Sequence, residues 1–198
     1  MSVRLFADAG LYEIRWHGRG GQGAITAAKV LAQAAYLNGY QGATASPSFG
    51  AERRGAPVSA STRVSPESIL VVSQIEEPDM VVVLDHTLLR DREVVSGLRS
   101  GGWLVVNSRA TPRQLDLEGG FNVATADATG ICRELGLVVA GLIVVNTAML
   151  GAVVRVSRLV TLASINEVVR TRFSNRSARL NLAAVEETYR TTMVERTS

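Results

Sequence analysis

The apolar and polar positions of this chain form short alternating or continuously apolar stretches and longer stretches with helical spacing. The short stretches predict strands, at residues 12–16, 42–45, 57–64, 69–71, 80–84, 103–106 and 121–124. The longer stretches predict helices, over residues 24–35, 88–98, 127–135, 147–156, 164–173 and 178–189. Asp127 and Asn146 are the predicted N-caps of the third and fourth of these helices. Because strands alternate with helices, we expect an α/β fold: a three-layer sandwich with a mostly parallel or mixed central sheet flanked by helices.

Composition supports a single domain over residues 1–198. The chain is 46% hydrophobic and 20% charged, which suits a compact domain and argues against disorder. Its net charge of +3 comes from scattered basic residues, so nucleic-acid binding is not indicated. No apolar stretch reaches the about 18 residues of a membrane helix, and the N-terminus lacks a secretory core. We therefore expect a cytoplasmic protein without a membrane partner.

A cluster of glycines joins the first predicted strand to the first predicted helix. Gly18, Gly20 and Gly23 satisfy the pattern G-x-G-x-x-G. Glycine permits positive φ and close approach of the backbone, and the helix that follows offers free N–H groups and a positive dipole end. Phosphate binding is the natural functional interpretation.

Two more specific versions of this motif do not fit. A nucleotide-hydrolysing P-loop would continue with Lys and Ser or Thr, but Ala24 and Ile25 follow Gly23. A dinucleotide site would need an acidic residue about 20 positions on, and none occurs between Glu13 and Glu52. Two interpretations stay open: contact with a coenzyme, or glycines that only allow tight packing within the chain or against another subunit.

A second unusual feature is a loop over residues 46–56, rich in Pro and Gly, that carries Arg53 and Arg54. Guanidinium groups bind carboxylates and phosphates through two parallel hydrogen bonds. The alternative is a solvated pair, or an ion pair with Glu52.

The sequence offers little other chemistry. Cys132 is the only cysteine, so an internal disulfide is impossible, and a zinc or iron–sulfur site would need ligands from elsewhere. Its apolar neighbours favour core packing, and His17 beside a tryptophan is typical of a structural hydrogen-bonding role. We predict no catalytic residue and no metal ligand in this chain.

Four stretches in this order resemble one family. They are Ile14–Gly23 with its glycines, Pro47–Val58 with its arginines, Ser73–Asp79, and Asn146–Gly151. The chain is similar over residues 13–189 to the gamma subunit, or gamma domain, of pyruvate and other 2-oxoacid:ferredoxin oxidoreductases.

The resemblance implies a subunit that is not catalytic alone. The complex would decarboxylate a 2-oxo acid on thiamine diphosphate, pass electrons through iron–sulfur clusters and form an acyl-coenzyme A. Thiamine diphosphate, magnesium and the clusters would belong to alpha, beta and delta partners, with coenzyme A as co-substrate. The gamma subunit would shape the coenzyme A mouth and the assembly. The contact residues implied are Arg19, Gly20, Gly21, Gln22 and Gly23 in a first loop, Phe49, Arg53 and Arg54 in a second, and Asn146 and Thr147 in a third.

The resemblance leaves three matters open. The substrate is pyruvate or another 2-oxo acid, including an aromatic one such as indolepyruvate or phenylglyoxylate. The electron acceptor is ferredoxin, or NAD through a further subunit. The subunit either contacts the coenzyme or has a purely structural role in assembly.

Overall fold

The computed structural model describes residues 10–48, 55–70, 73–139 and 141–197. Seven of its strands form one sheet. They are β1 (Tyr12–Arg19), β2 (Gly42–Pro47), β3 (Pro57–Ser65), β4 (Met80–Val83), β5 (Trp103–Asn107), β6 (Asn122–Ala126) and β9 (Met193–Glu195). The remaining two, β7 (Val138–Val139) and β8 (Leu142–Ile143), form a small hairpin.

The sheet is mixed, in the order β2-β3-β1-β4-β5-β6-β9. Strands β1, β4, β5 and β6 run parallel, whereas β2, β3 and β9 are antiparallel to their neighbours. The carboxyl ends of the parallel strands therefore lie at one edge, which is where open α/β sheets place ligands. The expectation of an α/β fold with a mixed central sheet is confirmed.

Among the described residues, five α-helices and three 3-10 helices accompany the sheet. The α-helices are α1 (Ala24–Leu37), α2 (Ala128–Glu134), α3 (Asn146–Ser157), α4 (Leu162–Arg172) and α5 (Asn175–Thr191). The 3-10 helices are His86–Arg90, Arg92–Val94 and Pro112–Leu115. Helices α1 and α3 pack on the sheet, and α4 and α5 pack on them. No helix within the described ranges is both long enough and apolar enough to cross a membrane.

Successive side chains of the buried strands point to opposite faces of the sheet, so they contribute to two separate hydrophobic clusters. In β4, Met80 and Val82 belong to the large cluster with the α-helices. Val81 and Val83 belong to a smaller cluster on the opposite face. That face is covered by 3-10 helices, which supply Leu88 among others. The continuous apolar run of β4 thus reflects burial on both faces.

The helix predicted over residues 88–98 is wrong. Asp91 donates its N–H to the carbonyl of Leu88, three residues back, and its carboxylate then accepts from the N–H of Glu93 at 3.0 Å. The aspartate thereby ends one short turn and begins another, so two 3-10 helices replace one α-helix. The chain leaves the second turn at Gly97, where φ is +73°.

Other boundaries also differ from the prediction. The hairpin β7–β8 and the edge strand β9 were not expected, and residues 69–70 form no strand, while residue 71 lies outside the described residues. Asp127 caps α2 as predicted, because its carboxylate accepts from the N–H of Gly130 at 2.8 Å. Helix α4 begins earlier than predicted because the hydroxyl of Thr161 caps it by accepting from the N–H of Ser164.

Candidate functional site at the carboxyl end of strand β1

The glycine turn connects β1 directly to α1. Gly21 and Gly23 have φ values of +95° and +81°, in the region that favours glycine. The side chain of Gln22 closes the turn, because its Oε1 accepts from the N–H of Arg19 at 2.7 Å. The N–H of Gln22 donates back to the carbonyl of Arg19 at 2.9 Å. Of the motif glycines Gly18, Gly20 and Gly23, only Gly23 therefore adopts the positive φ that the motif suggested, and Gly18 lies within β1.

The turn contacts the base of the arginine-bearing loop. Gly20 donates its N–H to the carbonyl of Ala56 at 2.8 Å, and Gly55 donates to the carbonyl of Gly20 at 3.1 Å. These reciprocal bonds join the first predicted contact loop to residues 55 and 56, which follow the two arginines in the sequence. The predicted residues Phe49, Arg53 and Arg54 lie outside the described residues.

Arg19 is held by partners within the chain. Its Nε donates to Oδ2 of Asp85 at 2.7 Å, one Nη donates to the hydroxyl of Thr87 at 2.9 Å, and the other donates to the carbonyl of Gly55 at 3.2 Å. The guanidinium thus ties the end of β4 to the base of the arginine-bearing loop. Its charge is largely balanced by Asp85, so Arg19 has fewer free donors than the sequence suggested.

Asp85 and Thr87 are site residues that sequence reasoning missed. Burial alone would raise the pKa of Asp85, but hydrogen bonds from Thr87 and the neighbouring Arg19 guanidinium hold that pKa below its usual value. The available signal was position: Asp85 follows a buried strand. Parallel strands that are neighbours in a sheet present their carboxyl ends together, which would have placed it beside Arg19.

Asn146 and Thr147, the third predicted contact pair, lie beneath the turn and are 4% and 1% exposed. Asn146 was expected to cap α3, but it is the first helical residue, and its Oδ1 accepts from the N–H of Thr147 at 2.8 Å. Its amide touches Gly23 so closely that a Cβ on that glycine would overlap it. This pair therefore supports the glycine turn from inside.

The start of α1 offers an electrostatic setting for an anion. Gly23 provides no side-chain hydrogen bond to the helix, and the first turn contains no acidic residue. The first-turn N–H groups and the positive end of the helix dipole are consequently not satisfied by a cap. The hairpin β7–β8 borders the turn, with Leu142 against Gly21 and Val138 52% exposed. The polar residues Asn146 and Thr147 thus lie beneath the turn, and the apolar residues Val138 and Leu142 lie beside it.

Cys132 is fully buried, as its apolar neighbours predicted. Burial, with a smaller contribution from Asp127, raises the pKa of its thiol to about 12. The side chain therefore packs as an uncharged hydrophobe and does not act as a thiolate. In the ranges that the structure describes, no three His, Cys, Asp or Glu side chains come together in a way that could hold a metal ion.

His17 makes stability depend on pH. Burial, followed by nearby Arg15 and opposed by Asp91, lowers its pKa from 6.5 to about 4. The unfolded chain binds a proton between these values and the folded chain does not, so the free energy of unfolding should fall as pH falls through this window. We expect His17→Gln to remove about 2 kcal/mol of this loss near pH 5, measured by urea unfolding from about pH 7 to 4. Identical pH profiles for the two proteins would contradict the assignment.

Comparison with known proteins identifies the class. Residues 13–191 match the family model described as pyruvate ferredoxin/flavodoxin oxidoreductase. The pyruvate/ketoisovalerate oxidoreductases common subunit gamma of Thermococcus kodakarensis is 45% identical, over 93% of this chain and 98% of its own length. The pyruvate synthase subunit PorC of Methanocaldococcus jannaschii is 44% identical, over 90% of this chain and 96% of its own.

A solved structure agrees with these sequence relatives. The crystal structure of the pyruvate oxidoreductase subunit PORC of Thermotoga maritima has a TM-score of 0.80 and 35% identity, covering 94% of this chain and 99% of that one. The fold and the glycine turn together define an α/β protein in which a glycine turn joins strand β1 of a mixed sheet to helix α1. The chain belongs to the pyruvate ferredoxin/flavodoxin oxidoreductase family, as one of its gamma-type subunits. The resemblance indicated by the four motifs is confirmed.

Proposed function

We propose that this chain is the gamma subunit of a thiamine-diphosphate-dependent 2-oxoacid:ferredoxin oxidoreductase that forms an acyl-coenzyme A. Relatives named for pyruvate and ketoisovalerate, at up to 45% identity over nearly their whole length, support an aliphatic 2-oxo acid as substrate in preference to an aromatic one. In this role the chain is part of the enzyme and has no activity by itself.

The redox chemistry belongs to partner subunits in this proposal. Thiamine diphosphate, magnesium and iron–sulfur clusters would be bound by alpha, beta and delta subunits, with ferredoxin or an NAD-linked subunit as acceptor, in the cytoplasm. The composition of the chain supports this division, because its single cysteine is buried and cannot ligate a cluster alone.

The contribution of the gamma subunit is a contact surface for coenzyme A. The observation that carries this proposal is the pair of hydrogen bonds between the glycine turn and the base of the arginine-bearing loop, at 2.8 and 3.1 Å. They join the glycine turn, next to the uncapped start of α1, to Gly55 and Ala56. A phosphate there would meet backbone N–H groups of α1, and Arg53 and Arg54, which directly precede Gly55 in the sequence, would contribute guanidinium groups.

Kinetics of the assembled complex with Arg54→Ala test this contact. Losing one charge-assisted hydrogen bond should raise the KM for coenzyme A by roughly tenfold or more, while the KM for the oxo acid stays within about twofold. Arg172→Ala, an exposed arginine at the end of α4, is the matched control and should leave both values unchanged.

A purely structural role has one observation in its favour: the guanidinium of Arg19 is committed to Asp85, Thr87 and Gly55. If the arginine-bearing loop likewise only joins subunits, Arg54→Ala would lower the yield of intact complex and leave the KM for coenzyme A unchanged. Size-exclusion profiles of the same preparations separate the two outcomes.

A further inference from the structure

The face of β1 and β3 that points away from the α-helices is polar. The cross-strand pairs on this face are Arg15 with Ser61 and His17 with Ser59. Ile14 and Trp16, which alternate with Arg15 and His17 along β1, point to the other face and are fully buried in the main core. Register therefore aligns the polar side chains of neighbouring strands into one surface.

This surface forms the floor of a cleft of about 690 Å³. Its opposing walls come from the 3-10 helix that carries Glu93 and from the segment Ser73–Ile75. Serine hydroxyls of β2 and β3 complete the lining, at Ser46, Ser59 and Ser61. The volume lies within the range of small-molecule sites, about 300–1,000 Å³.

Two buried polar atoms at this cleft lack hydrogen-bond partners. They are Nε2 of His17 and Nε of Arg15, with no partner among the residues that the structure describes. Buried polar groups in native proteins are nearly always satisfied, so each exception calls for an explanation. Both residues line the cleft, and a molecule that binds there would supply the missing partner by displacing the neighbouring side chains that shield these two atoms.

The two arginines of the cleft differ in charge balance. Arg63 is paired with Glu13, with its Nε 2.7 Å from the carboxylate. Arg15 donates from one Nη to the main-chain carbonyls of Val94 and Ser96, at 3.2 and 2.5 Å, and within the described ranges it forms no ion pair. Glu93 lines the cleft as well, but its carboxylate is beyond ion-pair distance of Arg15. The Arg15 cation is thus held by carbonyl dipoles, and its charge is only partly offset by Glu93, because burial lowers the Arg15 pKa more than Glu93 raises it.

The lining favours a small molecule over a protein partner. Serine is depleted at protein interfaces, whereas this cleft is concave and has five serines in its lining. Apolar side chains suited to protein docking lie elsewhere, at Tyr36 with Leu37 and at Val138 with Leu142. The described part of the chain therefore separates the polar cleft from its exposed apolar patches.

We propose that the cleft between β1, β3 and the 3-10 helix at Arg92–Val94 binds a small organic anion through a carboxylate or phosphate group. The anion accepts from Nε–H of Arg15 and hydrogen-bonds Nε2 of His17, with the Ser59 hydroxyl completing its shell, since the Ser61 hydroxyl donates to the carbonyl of Ser46 at 3.4 Å. This site is distinct from the glycine turn, and it does not depend on the proposed coenzyme A contact.

Nitrogen NMR of the full-length chain tests the proposal, because the chain has only two histidines. Titration with succinate, and separately with inorganic phosphate, should shift the ring nitrogens of His17 saturably and leave exposed His86 unchanged. Arg15→Gln should weaken this binding roughly tenfold or more, and Ser59→Ala should weaken it several-fold. Ser59 has no side-chain bond among the described contacts, so its variant keeps the assay interpretable if Arg15→Gln unfolds.

Three results would overturn the proposal. The first is that neither succinate nor phosphate shifts the His17 signals. The second is that the signals of both histidines shift together as ionic strength rises. The third is that Arg15→Gln and Ser59→Ala bind the probes as tightly as the parent protein does. A second measurement uses the purified complex, with equilibrium dialysis of radiolabelled succinate against the parent and the Ser59→Ala form. Weaker succinate binding by the Ser59→Ala complex supports the proposal that the cleft binds an anion in the assembled enzyme. Equal binding by the two complexes would mean that a partner subunit covers the cleft, and it would reject the proposal.

Discussion

Replacing Gly23 by alanine should destabilise the folded chain by about 3 kcal/mol. Gly23 has φ of +81°, a conformation that costs an L-residue about 1–2 kcal/mol. A Cβ at this position would also overlap the side-chain amide of buried Asn146, and overpacking adds about 1–3 kcal/mol. Urea unfolding of parent and variant measures the sum.

The chain offers a matched control for the backbone contribution. Gly39 has φ of +88°, and a Cβ there would meet nothing within 4 Å, so Gly39→Ala should show the conformational cost alone. Adding Asn146→Ala to Gly23→Ala should recover the steric part, which a double-mutant cycle isolates. Equal effects of Gly23→Ala and Gly39→Ala would show that Asn146 yields freely and that it does not support the turn.

Gly151→Ala should reduce the free energy of unfolding by about 3 kcal/mol, although alanine is the better helix former. Gly151 lies inside α3, where α3 and α5 make close contact. A Cβ on it would overlap the carbonyl of Val185 and come within 2.7 Å of the backbone nitrogen of Tyr189. Backbone atoms of a helix cannot rotate away, so the helices must separate. Calorimetric melting measures the change.

The sign of this effect is the decisive feature. Helix propensity alone would make Gly151→Ala stabilising by about 1 kcal/mol. Arg179→Ala, at an exposed position of α5, provides the control and should change stability by less than about 0.5 kcal/mol. A higher melting temperature for Gly151→Ala would mean that α3 and α5 are not in close backbone contact.

Local signals in the sequence were sufficient for most elements. The β-branched run at Met80–Val83, the glycine turn and the Asp127 cap depend on neighbouring residues only, and each was correctly predicted. The region after β4 was predicted incorrectly, because Asp91 is compatible with helical spacing unless its side chain captures a nearby N–H group. The choice between an α-helix and two 3-10 turns depends on that competition and on packing against Val81 and Val83.

In the candidate site, too, some features follow from local sequence and others only from the fold. Chain order predicted the glycine turn and the two further contact segments, but the side-chain partners of Arg19 are 66 and 68 residues away along the chain. Their proximity follows from β1 and β4 being parallel neighbours, and strand order is set by long-range packing. For this reason a charge that looked free in the sequence is an internal ion pair in the fold.

The sequence by itself determined the fold class, the family and the residues with unusual backbone freedom, because hydrophobic period and glycine placement act over a few residues. Only the tertiary structure decided which of those residues are buried supports, such as Asn146, and which strands place Arg15 and His17 opposite serines. A one-residue change in strand register would turn those side chains to the other face of the sheet, so the polar cleft exists only once pairing is complete.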